Sequence, residues 1–291
     1  VIPEALAHEL RYIELRTARR IRSLRPGAYT SRVRGDGFDL DQHRPYQAGD
    51  DVRLIDWNVT ARTGQVFVRQ TYAERELDLV VAIDLSRSMN MTSDARSKRD
   101  ALVRATASLL FSATADRIST GFLAFGDRVL KWIPPTAHPR RAWAALSELC
   151  AIDAPAGPTA LVPAIEHLLR SLKRLTVVVI ISDFLVREQL DATVELGTLA
   201  GKHDVVAVVL SDKLEGRLPE GSGFVRVKDL ESGAERVIRL NDAVRTRYAA
   251  AVDRWREDLA RRCYQVGIEP VFVDAAEDVV SPLIRVFESR R

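Results

Sequence analysis

From about residue 76 onward, short apolar runs alternate with stretches whose apolar residues recur at helical spacing. The runs at 79–83, 118–125, 129–133, 176–181, 205–210 and 268–273 predict strands. Several are almost continuously apolar, as strands of a mostly parallel sheet are when both faces are covered. Between them, Leu102, Ala105, Leu109, Leu110 and Ala113 predict one helix, and Leu161, Ile165, Leu168, Leu169 and Leu172 a second. Strand and helix in alternation imply a doubly wound α/β sheet. One segment departs from the alternation: 224–227 and 236–238 flank Glu231-Ser232-Gly233, which predicts an antiparallel hairpin appended near one edge. A long helix is expected after it, over about 242–262.

The first 75 residues read differently. Leu6, Leu10, Ile13, Ile21 and Leu24 are spaced for an amphipathic helix over 3–25, ended by Pro26-Gly27 and surrounded by Arg11, Arg16, Arg19, Arg20, Arg22 and Arg25. Such a helix is expected to pack its apolar stripe on the body of the protein; the alternative is that it lies on an anionic membrane or docks an acidic partner. From Tyr29 to Arg75 glycines, aspartates and short β-like pieces predominate, with Val66-Phe67-Val68 and Thr71-Tyr72 as the clearest strand candidates. The expected division is therefore an N-terminal helix and arm, 1–75, followed by an α/β domain, 76–291.

Composition narrows the function. The chain has 291 residues, 46% hydrophobic and 29% charged, enough for one large core or a core with a satellite lobe. No apolar run approaches the roughly 20 residues that span a bilayer. The opening Val1-Ile2-Pro3-Glu4 lacks the basic start and apolar stretch of a secretory signal, so a cytoplasmic location is expected. Cys150 and Cys263 are far apart, and the five histidines are scattered, which argues against a disulfide framework or a zinc enzyme. The net charge of +3 does not by itself imply nucleic acid.

In an open α/β sheet ligands bind beyond the carboxyl ends of the strands. Asp84 follows the run 79–83, and Asp183 follows 176–181 and Ser182. Ser86 and Ser88 stand two and four residues after Asp84, and Thr159 stands in the loop that opens the helix beginning near Ala160. Two carboxylates and three hydroxyls form a set of hard oxygen donors that suits Mg²⁺ or Mn²⁺ and disfavours zinc or copper. Taken singly such residues are more often helix caps; their place after buried strands is what singles them out.

Asp84-Leu85-Ser86-Arg87-Ser88, then Thr159, then Asp183, resembles the metal-ion-dependent adhesion site of von Willebrand factor A domains. The resemblance covers about 76–291 and implies a Rossmann-type, von Willebrand factor A-like fold. It also implies a metal whose shell is completed by an acidic side chain of a partner protein. A second resemblance lies upstream in Gly35-Asp36-Gly37-Phe38, the run from Arg44 to Trp57 (Arg-Pro-Tyr-Gln-Ala-Gly-Asp-Asp-Val-Arg-Leu-Ile-Asp-Trp), and Ala61-Arg62-Thr63-Gly64. This segment is similar to the bacterial family called domain of unknown function 58. Members join it to an A-type domain and are commonly associated with MoxR-type AAA+ ATPases in chaperone-like maturation or stress functions. The chain resembles the shorter form without membrane helices. Asp50, Asp51, Arg53 and Asp56 are expected to form an ion-pair cluster around a buried Trp57 that fixes the arm against the following domain; the alternative is a partner surface.

Enzymatic readings fare worse. A haloacid dehalogenase-type phosphatase also places an Asp after a parallel strand, but needs an acid two residues later, where this chain has Ser86. There is no Gly-x-x-x-x-Gly-Lys-Ser/Thr loop and no Gly-x-Ser-x-Gly elbow. Nucleic-acid binding through the arginine-rich first helix has no stacking surface or reader motif to accompany it. The expectation is a non-enzymatic adapter that binds protein through a divalent metal, with no small-molecule substrate.

Overall fold

A computed structural model describes residues 7, 10–13, 39–47, 50–72, 77–92, 97–138, 140–153, 159–185, 192–228 and 234–289. The chain divides into two compact units, one drawn from Val1–Leu24 with Leu77–Arg290 and the other from Arg25–Glu76.

The larger unit is built on a six-stranded sheet in the order β10-β7-β6-β3-β4-β5. Its strands are β3 (Asp78–Asp84), β4 (Ser119–Phe125), β5 (Val129–Thr136), β6 (Thr176–Ser182), β7 (Asp204–Ser211) and β10 (Glu269–Asp274). All neighbours are parallel except β5, which pairs antiparallel with β4. The β-branched run Val177-Val178-Val179-Ile180-Ile181 is buried along its whole length, as a central strand covered on both faces must be. Truncating Ile180 to alanine there should cost about 2–5 kcal/mol.

Helices cover both faces. One face carries α4 (Leu161–Ser171), α5 (Ala192–Ala200) and α7 (Asp242–Gln265), whose Leu161, Ile165, Leu168, Leu199 and Cys263 pack with Val80, Leu123, Ile180 and Ala207 in one cluster. The other face carries α2 (Lys98–Ala115), which contacts β3, β4 and β7, flanked by α3 (Arg141–Ala151) and α8 (Val280–Ser289). Helix α2 starts at a capping box in which Ser97 and Asp100 satisfy each other's backbone N–H, and it is buried on almost every side. β4 passes so close to β5 that a Cβ on Gly121 would lie 2.9 Å from the Pro135 nitrogen and 3.0 Å from the Ile133 carbonyl oxygen.

The expected helices and strands recur, with the long helix running three residues further, to Gln265. The hairpin is β8 (Gly223–Lys228) with β9 (Glu235–Leu240), antiparallel and forming its own two-stranded sheet. Helices α3, α5 and α8 were not among the elements expected from the sequence. The helix expected over 3–25 lies mostly outside the described residues; of it, Ala7 and 10–13 are helical, with Leu10 and Ile13 buried.

The smaller unit holds β1 (Asp39–Pro45) paired antiparallel with β2 (Phe67–Tyr72), a 3₁₀ turn at Val52–Leu54 and α1 (Trp57–Thr63). Asp56 caps α1 through the N–H groups of Asn58 and Val59, and Gly64 ends it at φ 71°, a left-handed position that favours glycine. The expected cluster around a buried tryptophan is corrected: Trp57 is 67% exposed. Two of the four charges, Asp50 and Asp56, pair instead with residues of β1. Arg44 grips both oxygens of Asp50 at 2.7 and 2.6 Å, and His43 meets Asp56 at 3.0 Å. As the first residue after the Asp56 cap, Trp57 stands on the outward side of a short helix.

Candidate functional site

The strand order sets where the site lies. From β3 the chain runs outward through β4 and β5, then returns to place β6 on the other side of β3. The order therefore reverses between β3 and β6, and the crevice beyond their carboxyl ends is the place where such sheets bind ligands. Asp84 ends β3, and Ile83 is paired with Ile181, so Ser182 and Asp183 emerge beside it.

All five residues singled out from the sequence are buried there: Asp84, Ser86, Ser88, Thr159 and Asp183. Asp84 organises the cluster. Its Oδ1 accepts the Ser86 N–H at 2.8 Å, and its Oδ2 accepts the hydroxyls of Ser182 at 2.7 Å and Thr159 at 3.3 Å. Ser86 precedes a 3₁₀ turn, Arg87–Asn90, which brings the Ser88 hydroxyl to 3.0 Å from that of Ser86. The Leu85 N–H donates to the Phe125 carbonyl and the Ala160 N–H to the Gly126 carbonyl, so both donor loops are tied to the end of β4. Asp183 leads into Phe184, which is buried with φ 54°. A left-handed, non-glycine residue in the core is a strained choice that surrounding structure must hold in place, and such residues gather at functional sites.

The electrostatics of the two carboxylates differ. Burial, with the Asp183 charge nearby, pushes the Asp84 carboxyl up to about 6, against the opposing pull of its hydrogen bonds. Asp183 has a resident counter-charge: the fully buried Lys98 ammonium donates to its Oδ2 at 2.9 Å and to Glu215 Oε1 at 2.6 Å. Burial pulls the Lys98 ammonium down, but Asp183 and Glu215 together outweigh it and hold it above the usual lysine range. Burial raises the Glu215 carboxyl, with Lys98 working against that rise. Glu215 lies in α6 (Lys213–Gly216), where its Oε2 accepts the Asp212 N–H at 2.9 Å.

This cluster offers two carboxylates and four hydroxyls, counting Ser182. Among the described residues no group of three or more His, Cys, Asp or Glu could hold a metal. The donors fit a small hard cation. The 3.0 Å between the Ser86 and Ser88 oxygens is also the separation of adjacent ligands around an octahedral ion bound at about 2.1 Å. A hydroxyl that donates its proton to Asp84 still has lone pairs to offer. Asp84, raised by burial beside Asp183, is the carboxylate such an ion would relieve.

Sequence reasoning missed three contributors. Ser182 was legible only as the neighbour of Asp183, and its contact with Asp84 follows from the pairing of β3 with β6. Glu215 sits at capping-box spacing from Asp212, a visible signal of a helix start but not of an ion pair. Lys98 carried no signal at all, since a lysine in a first helical turn is ordinarily solvated.

No helix among the described residues is long and apolar enough to cross a membrane. Uncharacterized proteins of Mycobacterium bovis and Mycobacterium tuberculosis are each 32% identical over 288 residues, covering 98% of this chain and 90% of theirs. Among solved structures, the conserved hypothetical protein BatB from Bacteroides thetaiotaomicron is similar at 18% identity and a TM-score of 0.47, covering 74% of this chain and 98% of that one. Residues 42–258 match the family described as "Protein of unknown function DUF58", and the chain belongs to that family.

Proposed function

We propose that the protein is a metal-dependent adapter, with a von Willebrand factor A-like domain whose metal-ion-dependent adhesion site is the Asp84 cluster. Ser86, Ser88 and Thr159 would hold Mg²⁺ or Mn²⁺ through their hydroxyls, with Asp84 and Asp183 contributing directly or through water. When bound, the ion supplies a coordination position that an acidic residue of a partner protein can take. The observation that carries this reading is a buried carboxylate raised to about 6, ringed by hydroxyls at the point where the strand order reverses.

The chain's own residues orient the donors. Ser182 and the Ser86 N–H fix the two oxygens of Asp84, and Lys98 holds Asp183. Nothing in this arrangement needs a nucleophile or a general acid, and the function proposed is binding without covalent chemistry. The resemblance noted in the sequence suggests a MoxR-type AAA+ ATPase as the partner, in chaperone-like maturation or stress response, with a cytoplasmic setting.

The test is retention of a purified MoxR-type ATPase from the same organism on the immobilised protein. Retention in Mg²⁺, lost in chelator and in Ser88→Ala, is the expected result. Equal retention in all three conditions sinks the metal mechanism, and no retention in any of them sinks the ATPase as partner.

A further inference from the structure

A cavity of about 220 Å³ lies beyond the carboxyl ends of β6 and β7, under α7. Asp183 and Glu215 form one wall, and Leu185, Ala251, Trp255 and Arg256 are among the others. Leu185 and Ala251 are exposed, so the cavity opens to solvent. Asp183 belongs both to this wall and to the Asp84 cluster, which makes the cavity and the candidate metal site immediate neighbours.

The chemistry of the walls defines what fits. Leu185, Leu210, Val252 and Trp255 give an apolar surface, and the volume exceeds the roughly 150 Å³ that accommodates a benzene ring. Most polar groups at the rim are engaged. Glu215 is held by Lys98 and by the Asp212 N–H, and the Tyr248 hydroxyl donates to the Glu215 carbonyl at 2.9 Å. Arg256 reaches the Ser211 hydroxyl with one terminal nitrogen at 3.3 Å, and its guanidinium lies over the Phe272 ring.

We infer that this cavity is a second subsite for the same partner: it takes a bulky apolar side chain of an extended peptide whose neighbouring acidic residue engages the metal. The acidic anchor rests on the metal-dependent reading above; the apolar subsite does not. The partner's recognition element is therefore an acidic residue close to an aromatic or large aliphatic one, and the cavity supplies selectivity that a metal and a carboxylate alone lack.

Two fluorescein-labelled, C-amidated peptides test this by anisotropy, Gly-Gly-Asp-Phe-Gly and Gly-Gly-Asp-Ser-Gly, each in Mg²⁺ and in chelator. The phenylalanine peptide should bind at least about tenfold more tightly than the serine peptide. That preference should vanish in Ala251→Trp and in Val252→Phe, two variants that fill the cavity from α7, while their calorimetric Mg²⁺ titration matches wild type. Equal binding of the two peptides, binding of neither, or a preference that survives in a folded cavity-filled variant overturns the subsite. A preference that persists while Mg²⁺ alters neither affinity leaves the subsite standing and counts against the metal reading instead.

Discussion

Asp84, at the end of the central strand, and Asp50, in the smaller unit, bring the same carboxylate into opposite surroundings. Asp50 sits near the surface with both oxygens gripped by Arg44, and that bond, aided by the Gln47 N–H, lowers its carboxyl to about 2. Asp84 is sealed from solvent among hydroxyls and a second carboxylate, and burial raises it to about 6. The smaller unit completes its own charge balance, as expected of a structural pair. In the Asp84 cluster the Lys98 ammonium is bound to Asp183 and Glu215. A carboxylate buried at the carboxyl end of the central strands and raised in this way is the observation on which the proposed metal site rests.

That contrast can be broken or sharpened in three ways. The largest effect is expected from Lys98→Met, which leaves Asp183 and Glu215 buried without their shared ammonium. Stability should fall by about 3–5 kcal/mol, read as an earlier urea midpoint. A midpoint equal to wild type would mean that the buried triad does not hold the loops together.

The next effect is a dependence on pH. The folded-state value of Asp84, about 6, lies above its ordinary 3.8. The metal-free fold is then penalised as pH rises from about 4 to about 6, on the order of 3 kcal/mol in full, because the unfolded chain ionises first. Asp84→Asn should lack this component, so its melting temperature in chelator should gain on wild type between pH 4 and 7. Protons also compete with the metal, so Mg²⁺ affinity in wild type should weaken about tenfold from pH 7 to pH 5. Affinity that stays flat over that interval contradicts a raised Asp84.

The smallest effect is expected at the surface pair. Asp50 is lowered, so its contribution is present above about 3.8 and is lost as pH falls toward 2. Its exposure to solvent screening makes Asp50→Asn a minor change in thermal stability at neutral pH, with Mg²⁺ binding unaltered. A loss of metal binding in that variant would show that the two regions are coupled.

Much of the larger unit was legible because its signals are strong and local. Runs such as Val177-Val178-Val179-Ile180-Ile181 can scarcely be anything but buried strands, and Asp84 and Asp183 drew attention because they directly follow them. Lys98, Glu215 and Ser182 were not legible as members of the site, because their roles come from contacts across the chain that no local pattern encodes. Lys98 reaches Asp183 across 85 residues and Ser182 reaches Asp84 across 98. The exposed Trp57 shows the converse limit: a large aromatic among charges reads as buried, yet its place just after the cap of a short helix turns it outward.

The most direct measurement is calorimetric titration of the purified, chelator-treated protein with Mg²⁺ and Mn²⁺, repeated on Asp84→Ala. One saturable site in wild type, absent from a variant that melts cooperatively like wild type, is the expected result. Absence of binding in wild type, or undiminished binding in Asp84→Ala, would contradict a metal centre organised by Asp84.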